Sequence, residues 1–179
     1  MNKLDFFFNC LKDLRTAAVL PSSRYVVDRV LKKIDFENTS TVIEYGAGDG
    51  AVTKAVLKRM DKKGKMLAFE PNREFSKYLK RTRDRRMRVI SDTAQNSYKY
   101  LNGARADLVL ASIPFSRMWN RHILLKSISE RLNKDGRLII FQQHTPFGLK
   151  KSLQKHFSRV QVEWEPRNVP PCFNFVCEK

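Results

Sequence analysis

The chain has 179 residues, enough for one domain with a proper core, and 42% hydrophobic against 30% charged residues fits a folded chain rather than a disordered one. Lys and Arg number 35 against 18 Asp and Glu, a net charge of +17 that attracts polyanions, either nucleic acid or the anionic face of a membrane. No apolar run approaches the roughly 20 residues that cross a bilayer, no secretory leader pattern opens the chain, and Cys10, Cys172, Cys177 and the scattered histidines make no zinc-like spacing. The expected setting is therefore cytoplasmic and reducing, without a structural metal.

Residues 2–15 place Leu4, Phe6, Phe7, Phe8, Leu11 and Leu14 among Lys, Asp and Asn, an amphipathic helix pattern. A second helix is expected after Pro21–Ser22–Ser23, with Val26, Val27, Val30 and Leu31 as its stripe. Strand and helix signals then alternate: strand 41–45, helix 51–60, strand 66–70, helix 73–82, strand 88–91 and strand 106–112. Helix 122–132, strand 138–142 and helix 149–157 follow, and two alternating segments, 160–164 and 173–177, close the chain around a proline-rich turn. Alternation of this kind predicts a mostly parallel α/β sheet with helices on both faces, and the closing hairpin puts an antiparallel strand into it.

The chemistry centres on Glu44-Tyr45-Gly46-Ala47-Gly48-Asp49-Gly50, at the end of the first predicted strand. Glycines there let the backbone bend tightly and a ligand approach without a Cβ in the way. Gly46-x-Gly48-x-x-Ala51 also fits a dinucleotide fingerprint. Glu44 breaks the tie, because a carboxylate repels pyrophosphate and attracts the ammonium of an amino-acid-bearing cofactor. Glu70 ends the second strand, where an acid accepts hydrogen bonds from both ribose hydroxyls. Asp92, with Thr93 beside it, follows the third strand, where its carboxylate can accept from an adenine amino group.

Together these residues resemble the class I S-adenosylmethionine-dependent methyltransferases over about residues 40–179. The resemblance implies S-adenosylmethionine as cofactor, a seven-stranded Rossmann-like sheet and cofactor-binding roles for Glu44, Gly46, Gly48, Gly50, Glu70, Asp92, Thr93 and Ser112. Ser112-Ile113-Pro114-Phe115 is similar to the element with which enzymes of this class methylate amino groups, implying catalytic roles for Ser112, Pro114 and Phe115. The ribosomal RNA adenine dimethyltransferases usually begin that element with Asn and carry a helical C-terminal RNA-binding domain. A closer resemblance, reaching both termini, is to the bacterial phospholipid N-methyltransferases. It rests on Arg15–Ser23, on Val52-Thr53-Lys54-Ala55-Val56-Leu57, and on Arg167-Asn168-Val169-Pro170-Pro171 before an alternating aromatic strand. Where that family often has Tyr after the fifth strand, this chain has Gln142-Gln143-His144.

His144 falls at the sheet edge where α/β folds bind ligands, and a neutral imidazole there can take a proton from an ammonium head group, or be a surface turn residue. Arg167 can pair with a phosphodiester or anchor its turn. The expectation is one methyltransferase domain over 1–179, its N-terminal helices (1–35) forming a lid or a membrane-contacting segment. The implied activity is methylation of a phosphatidylethanolamine-like amine at an anionic membrane surface, on the inner face of the membrane. RNA adenine N6-methylation is the alternative, and a cofactor-binding module that holds RNA without chemistry is a third. The basic run Arg73–Arg88 suits phosphates of either partner.

Overall fold

The computed structural model describes residues 22–115, 118–142 and 147–179. The predicted helix at 2–15, with Phe6–Phe8, and His144 lie outside these residues.

Helix α1 (Arg24–Lys32) precedes β1 (Thr41–Tyr45), α2 (Ala51–Arg59), β2 (Lys65–Phe69), α3 (Arg73–Lys80) and β3 (Met87–Ile90). A 3₁₀ turn (Ala94–Asn96) and the short α4 (Tyr98–Leu101) lead into β4 (Ala106–Ala111), then α5 (Arg121–Arg131), β5 (Leu132–Gln142), α6 (Phe147–Leu153), β6 (Arg159–Glu165) and β7 (Cys172–Glu178). The strands form one seven-stranded sheet in the order β3-β2-β1-β4-β5-β7-β6. The first five strands run parallel, and β7 is antiparallel to both β5 and β6. The fold class is the predicted one.

Side-chain alternation sends each strand's residues to two cores. Val42, Leu108, Leu110, Ile139 and Phe141 face α1 and α2, where Val26, Val30, Val52 and Val56 close over them. Ile43, Tyr45, Val109, Leu138 and Ile140 face the other way, against Leu124, Leu125 and Ile128 of α5 and Leu149 and Leu153 of α6. Because β1 and β4 are buried on both faces, their chain ends are the place where ligand groups can approach, and the order reverses between them.

Three local departures from the sequence pattern have physical causes. Strand β5 begins at Leu132 rather than 138: Ala106 pairs with Leu132 and Leu108 with Arg137, so Asn133–Gly136 is an irregularity within the ladder rather than a turn before it. Ser23 holds the N-cap position of α1, but its side chain makes no cap hydrogen bond; its backbone N–H donates to Asn168 Oδ1 at 3.3 Å instead. Arg86, within the basic run, donates to the carbonyls of Leu57 (2.7 Å) and Met60 (2.8 Å), closing the C-terminal end of α2. Arg81, Arg83 and Arg85 lie in the connection from α3 to β3, at the end of the sheet opposite the chain ends of the parallel strands.

The hairpin is fastened to α1 by charge. Glu165 is fully buried and accepts from Arg29 Nε at 2.8 Å and from Arg167 Nε and Nη2 at 2.8 Å each. Glu163 takes Arg29 Nη1 at 3.0 Å and the ammonium of Lys33. The Arg167 guanidinium foremost, with Arg29 behind it, holds the Glu165 carboxyl down at about 2. A depressed carboxylate contributes stability that is present above its ordinary range and is lost as pH falls through the folded value, so this contribution disappears between about pH 4.5 and 2. Glu165→Gln should lower stability by about 2–4 kcal/mol at pH 7, read as a fall in Tm, and should flatten the acid limb of the stability curve.

Candidate active site

The glycine loop starts where β1 ends. Gly46, Gly48 and Gly50 all have positive φ, at 78°, 55° and 78°, a conformation that L side chains adopt only at a cost. Gly46 and Ala47 donate their N–H groups to Phe69 O at 2.9 and 3.2 Å, and Gly50 donates to Ala47 O at 2.9 Å. Ser112 donates to Tyr45 O at 2.9 Å, carrying the β1–β4 pairing past the end of β4. A Cβ on Gly46 would sit 2.7 Å from the Ser112 carbonyl oxygen. Loop and post-β4 element are therefore packed backbone to backbone.

Two carboxyl groups lie beneath and beside this loop. Glu44 is 1% exposed and accepts from the Thr53 hydroxyl at 2.6 Å; among the described residues it has no ion pair. Burial first, then the nearby Glu70 and Asp49 carboxylates, raise it to about 7, partly offset by the Thr53 bond. Expected at the strand end, where it attracts a ligand ammonium, Glu44 is buried there against Thr53. Glu70 accepts from the Gly48 N–H at 2.8 Å through Oε2 and from the Asn72 N–H at 2.9 Å through Oε1. Burial raises its carboxyl above the usual range, and each oxygen keeps one lone pair for a ligand hydroxyl.

Asp92 is already well supplied. Its Oδ1 accepts from the Thr93 N–H (2.7 Å) and Asn96 (2.8 Å), and its Oδ2 from the Tyr100 hydroxyl (2.8 Å). The Asn96 and Tyr100 bonds lower its carboxyl below the usual range. One acceptor position on Oδ2 remains.

After β4 the chain turns tightly: the Phe115 N–H donates to Ile113 O at 2.8 Å. Ser112 and Ile113 are half-buried and Pro114 is exposed. Phe115 is fully buried in the core with Leu124 and Leu125. The catalytic role implied for Phe115 is therefore corrected: its ring is in the core, while Ser112 and Pro114 stay toward the surface of the turn. Arg167 also has a different place. Its fork grips Glu165 and its guanidinium lies 4.6 Å from the ring centroid of Tyr25, so it anchors the β6–β7 turn to α1.

Of the residues that hold the three acids, Thr53 lies in the quoted segment Val52–Leu57, and no sequence pattern marks Asn72, Asn96 or Tyr100. Gln142, first of the Gln142-Gln143-His144 segment, ends β5 and is 7% exposed, and neither amide atom has a hydrogen-bond partner among the described residues.

A sheet of this order, a left-handed glycine loop after β1 and acids at the ends of β1, β2 and β3 define a class I S-adenosylmethionine-dependent methyltransferase. The fold is shared with precorrin-6y C5,15-methyltransferase of Geobacter metallireducens (TM-score 0.75, 17% identity, 93% of this chain and 96% of that one). It is shared too with the T. thermophilus 16S rRNA N2 G1207 methyltransferase, solved with AdoMet and guanosine (TM-score 0.68, 15% identity, 92% of this chain and 45% of that one). The chain belongs to the ribosomal RNA adenine dimethylase family, whose sequence profile matches residues 22–115. A relative from Singulisphaera acidiphila, an ornithine lipid N-methyltransferase, is 26% identical over 171 residues, covering 90% of this chain and 87% of its own. The cofactor is S-adenosylmethionine, and the residues present suit it: a sealed acid facing no cation complements an ammonium, and Glu70 has acceptor capacity for ribose hydroxyls.

Proposed function

We propose that the chain methylates the amine of a lipid head group. The observation that carries this reading is the extent of the two likenesses. The family profile ends at Phe115, within the cofactor half, whereas the likeness to the lipid-methylating relative covers 90% of this chain and so extends well past Phe115 into the substrate-side half. The net charge of +17 suits an acceptor presented among anionic lipids.

When bound, S-adenosylmethionine supplies an electrophilic methyl group. The protein's part is to hold the acceptor in line and neutral. Gly46, Gly48 and Gly50 give the cofactor close backbone approach, Glu44 places negative potential under its ammonium, and Glu70 and Asp92 take the nucleoside hydroxyls and amine, with Thr93 holding Asp92. Ser112, whose hydroxyl has no partner among the described residues, orients the acceptor amine, and Pro114 stiffens the turn that presents it. His144 is the proposed acceptor of the proton that the amine must lose. RNA adenine methylation is the second reading, favoured by the family profile.

The test is partition of label. With methyl-labelled S-adenosylmethionine and separate pools of phosphatidylethanolamine vesicles, ornithine-lipid vesicles, ribosomal RNA and protein, label should enter a lipid pool. Label confined to RNA would replace the lipid reading with the adenine one.

A further inference from the structure

The chain ends of β1–β5 emerge on one edge of the sheet, and β6, parallel to β5, ends there as well. All five of the large apolar side chains that stand exposed among the described residues are on that edge. Tyr98 follows β3, Trp119 and Ile123 follow β4, Trp164 is next to last in β6, and Val169 is in the β6–β7 turn. Trp119 is 99% exposed and Val169 82%, so neither contributes to the core. Lys99 and Arg121 stand beside the first two groups, and no acid occurs in 118–123. Glu163 and Glu165, on either side of Trp164, are held in ion pairs by Arg29, Lys33 and Arg167. The opposite edge is built differently. Its loops (60–64, 81–86, 102–105) and the irregular start of β5 (133–136) carry Lys, Arg, Asp and Asn but expose no large apolar side chain. Cations occur at both edges, so charge alone selects neither.

We propose that this rim docks the protein onto an anionic bilayer. Tyr98, Trp119, Ile123, Trp164 and Val169 enter the interfacial layer, and Lys99 and Arg121 lie at phosphate level. Indole and phenol rings settle at the boundary between apolar and wet phases, and lysine and arginine are drawn to anionic lipid. A second copy of the chain, itself at +17 overall, would meet like charge. Single-stranded RNA uses aromatic stacking platforms, which Ile123 and Val169 do not provide. The partner's chemistry rests on the lipid-amine reading; the consequence is that the edge carrying Gly46–Gly50 and Ser112–Pro114 faces the membrane, so an amine head group reaches Ser112 by lateral movement.

The chain's two tryptophans, Trp119 and Trp164, both lie on the rim and report on it directly. Trp164→Phe leaves Trp119 as the single reporter. With phosphatidylglycerol–phosphatidylethanolamine vesicles its emission should move to shorter wavelength and be quenched by acyl chains brominated near the head group. Trp119→Ser with Ile123→Ser should weaken vesicle co-sedimentation about tenfold and slow methylation of vesicle lipid similarly. Methylation of detergent-dispersed aminolipid, S-adenosylhomocysteine affinity and Tm should not change. Absence of bromolipid quenching overturns the rim, whether or not vesicles bind, and so does an RNA-induced shift without it. If detergent-dispersed lipid is methylated while quenching is absent, the rim fails and the lipid acceptor stands. Quenching without methylation of any lipid leaves the rim standing and removes the acceptor.

Discussion

Gly46→Ala should abolish S-adenosylhomocysteine binding and lower stability by about 2–5 kcal/mol. The added Cβ meets the Ser112 carbonyl oxygen at 2.7 Å and Ile113 Cγ2 at 2.9 Å. Neither backbone has room to retreat, because Gly46 is tied to Phe69 O and Ser112 to Tyr45 O, at 2.9 Å each. A left-handed alanine costs roughly 1–2 kcal/mol and an overpacked contact roughly 1–3 more, a large share of a domain's roughly 5–15 kcal/mol. Gly103→Ala separates the two costs. It has the same φ of 78° with nothing within 4 Å of the added carbon, so it should lose only about 1 kcal/mol and bind ligand normally. Urea unfolding of both variants, with and without ligand, reads the difference; equal losses would show that the Gly46–Ser112 packing is unimportant.

Glu44→Gln should stabilise the ligand-free protein at pH 8 and weaken its ligand binding. With its carboxyl raised to about 7 by burial, Glu44 favours folding only while protonated. Its contribution is full below about pH 4.5 and is lost as pH rises through about 7, a cost on the order of 2–3 kcal/mol at pH 8 that glutamine does not carry. A ligand ammonium near the loop reverses the balance by favouring the ionised form. S-Adenosylhomocysteine should therefore bind more tightly as pH rises, by up to tenfold per unit below about 7, and level off above it. In Glu44→Gln that slope should vanish, with affinity at pH 8 reduced roughly tenfold, about 1–2 kcal/mol. Thermal melts and binding isotherms across pH 5.5–8.5 check both halves.

Much of this was legible before any coordinates. The strand cores announce themselves as short apolar runs, and the glycine loop and the acids at the ends of β1, β2 and β3 follow from spacing along alternating elements. What was hidden depends on direction. Asn133-Lys134-Asp135-Gly136 has turn composition, yet it lies within a strand because Leu132 finds a pairing partner in Ala106. Phe115 belongs to an element that implies a catalytic role, but its ring packs into the core beside the turn that its N–H closes onto Ile113 O. The Glu44–Thr53 bond spans strand, loop and helix, a distance no periodicity encodes. Arg86 reads as one more cation of a basic run, and Arg167 as a phosphate partner or a turn anchor, until the carbonyls of α2 and the buried Glu165 are seen to hold them.

The central claim is that the acid beneath a left-handed glycine loop makes a site for an ammonium-bearing nucleoside rather than a dinucleotide. Calorimetric titration of the intact protein near pH 6.5, in two buffers of different ionisation enthalpy, tests it most directly. S-Adenosylhomocysteine should bind with release of a fraction of a proton, as Glu44 ionises, and NAD should not bind. Binding of NAD in its place, or S-adenosylhomocysteine binding with no proton released, would contradict it.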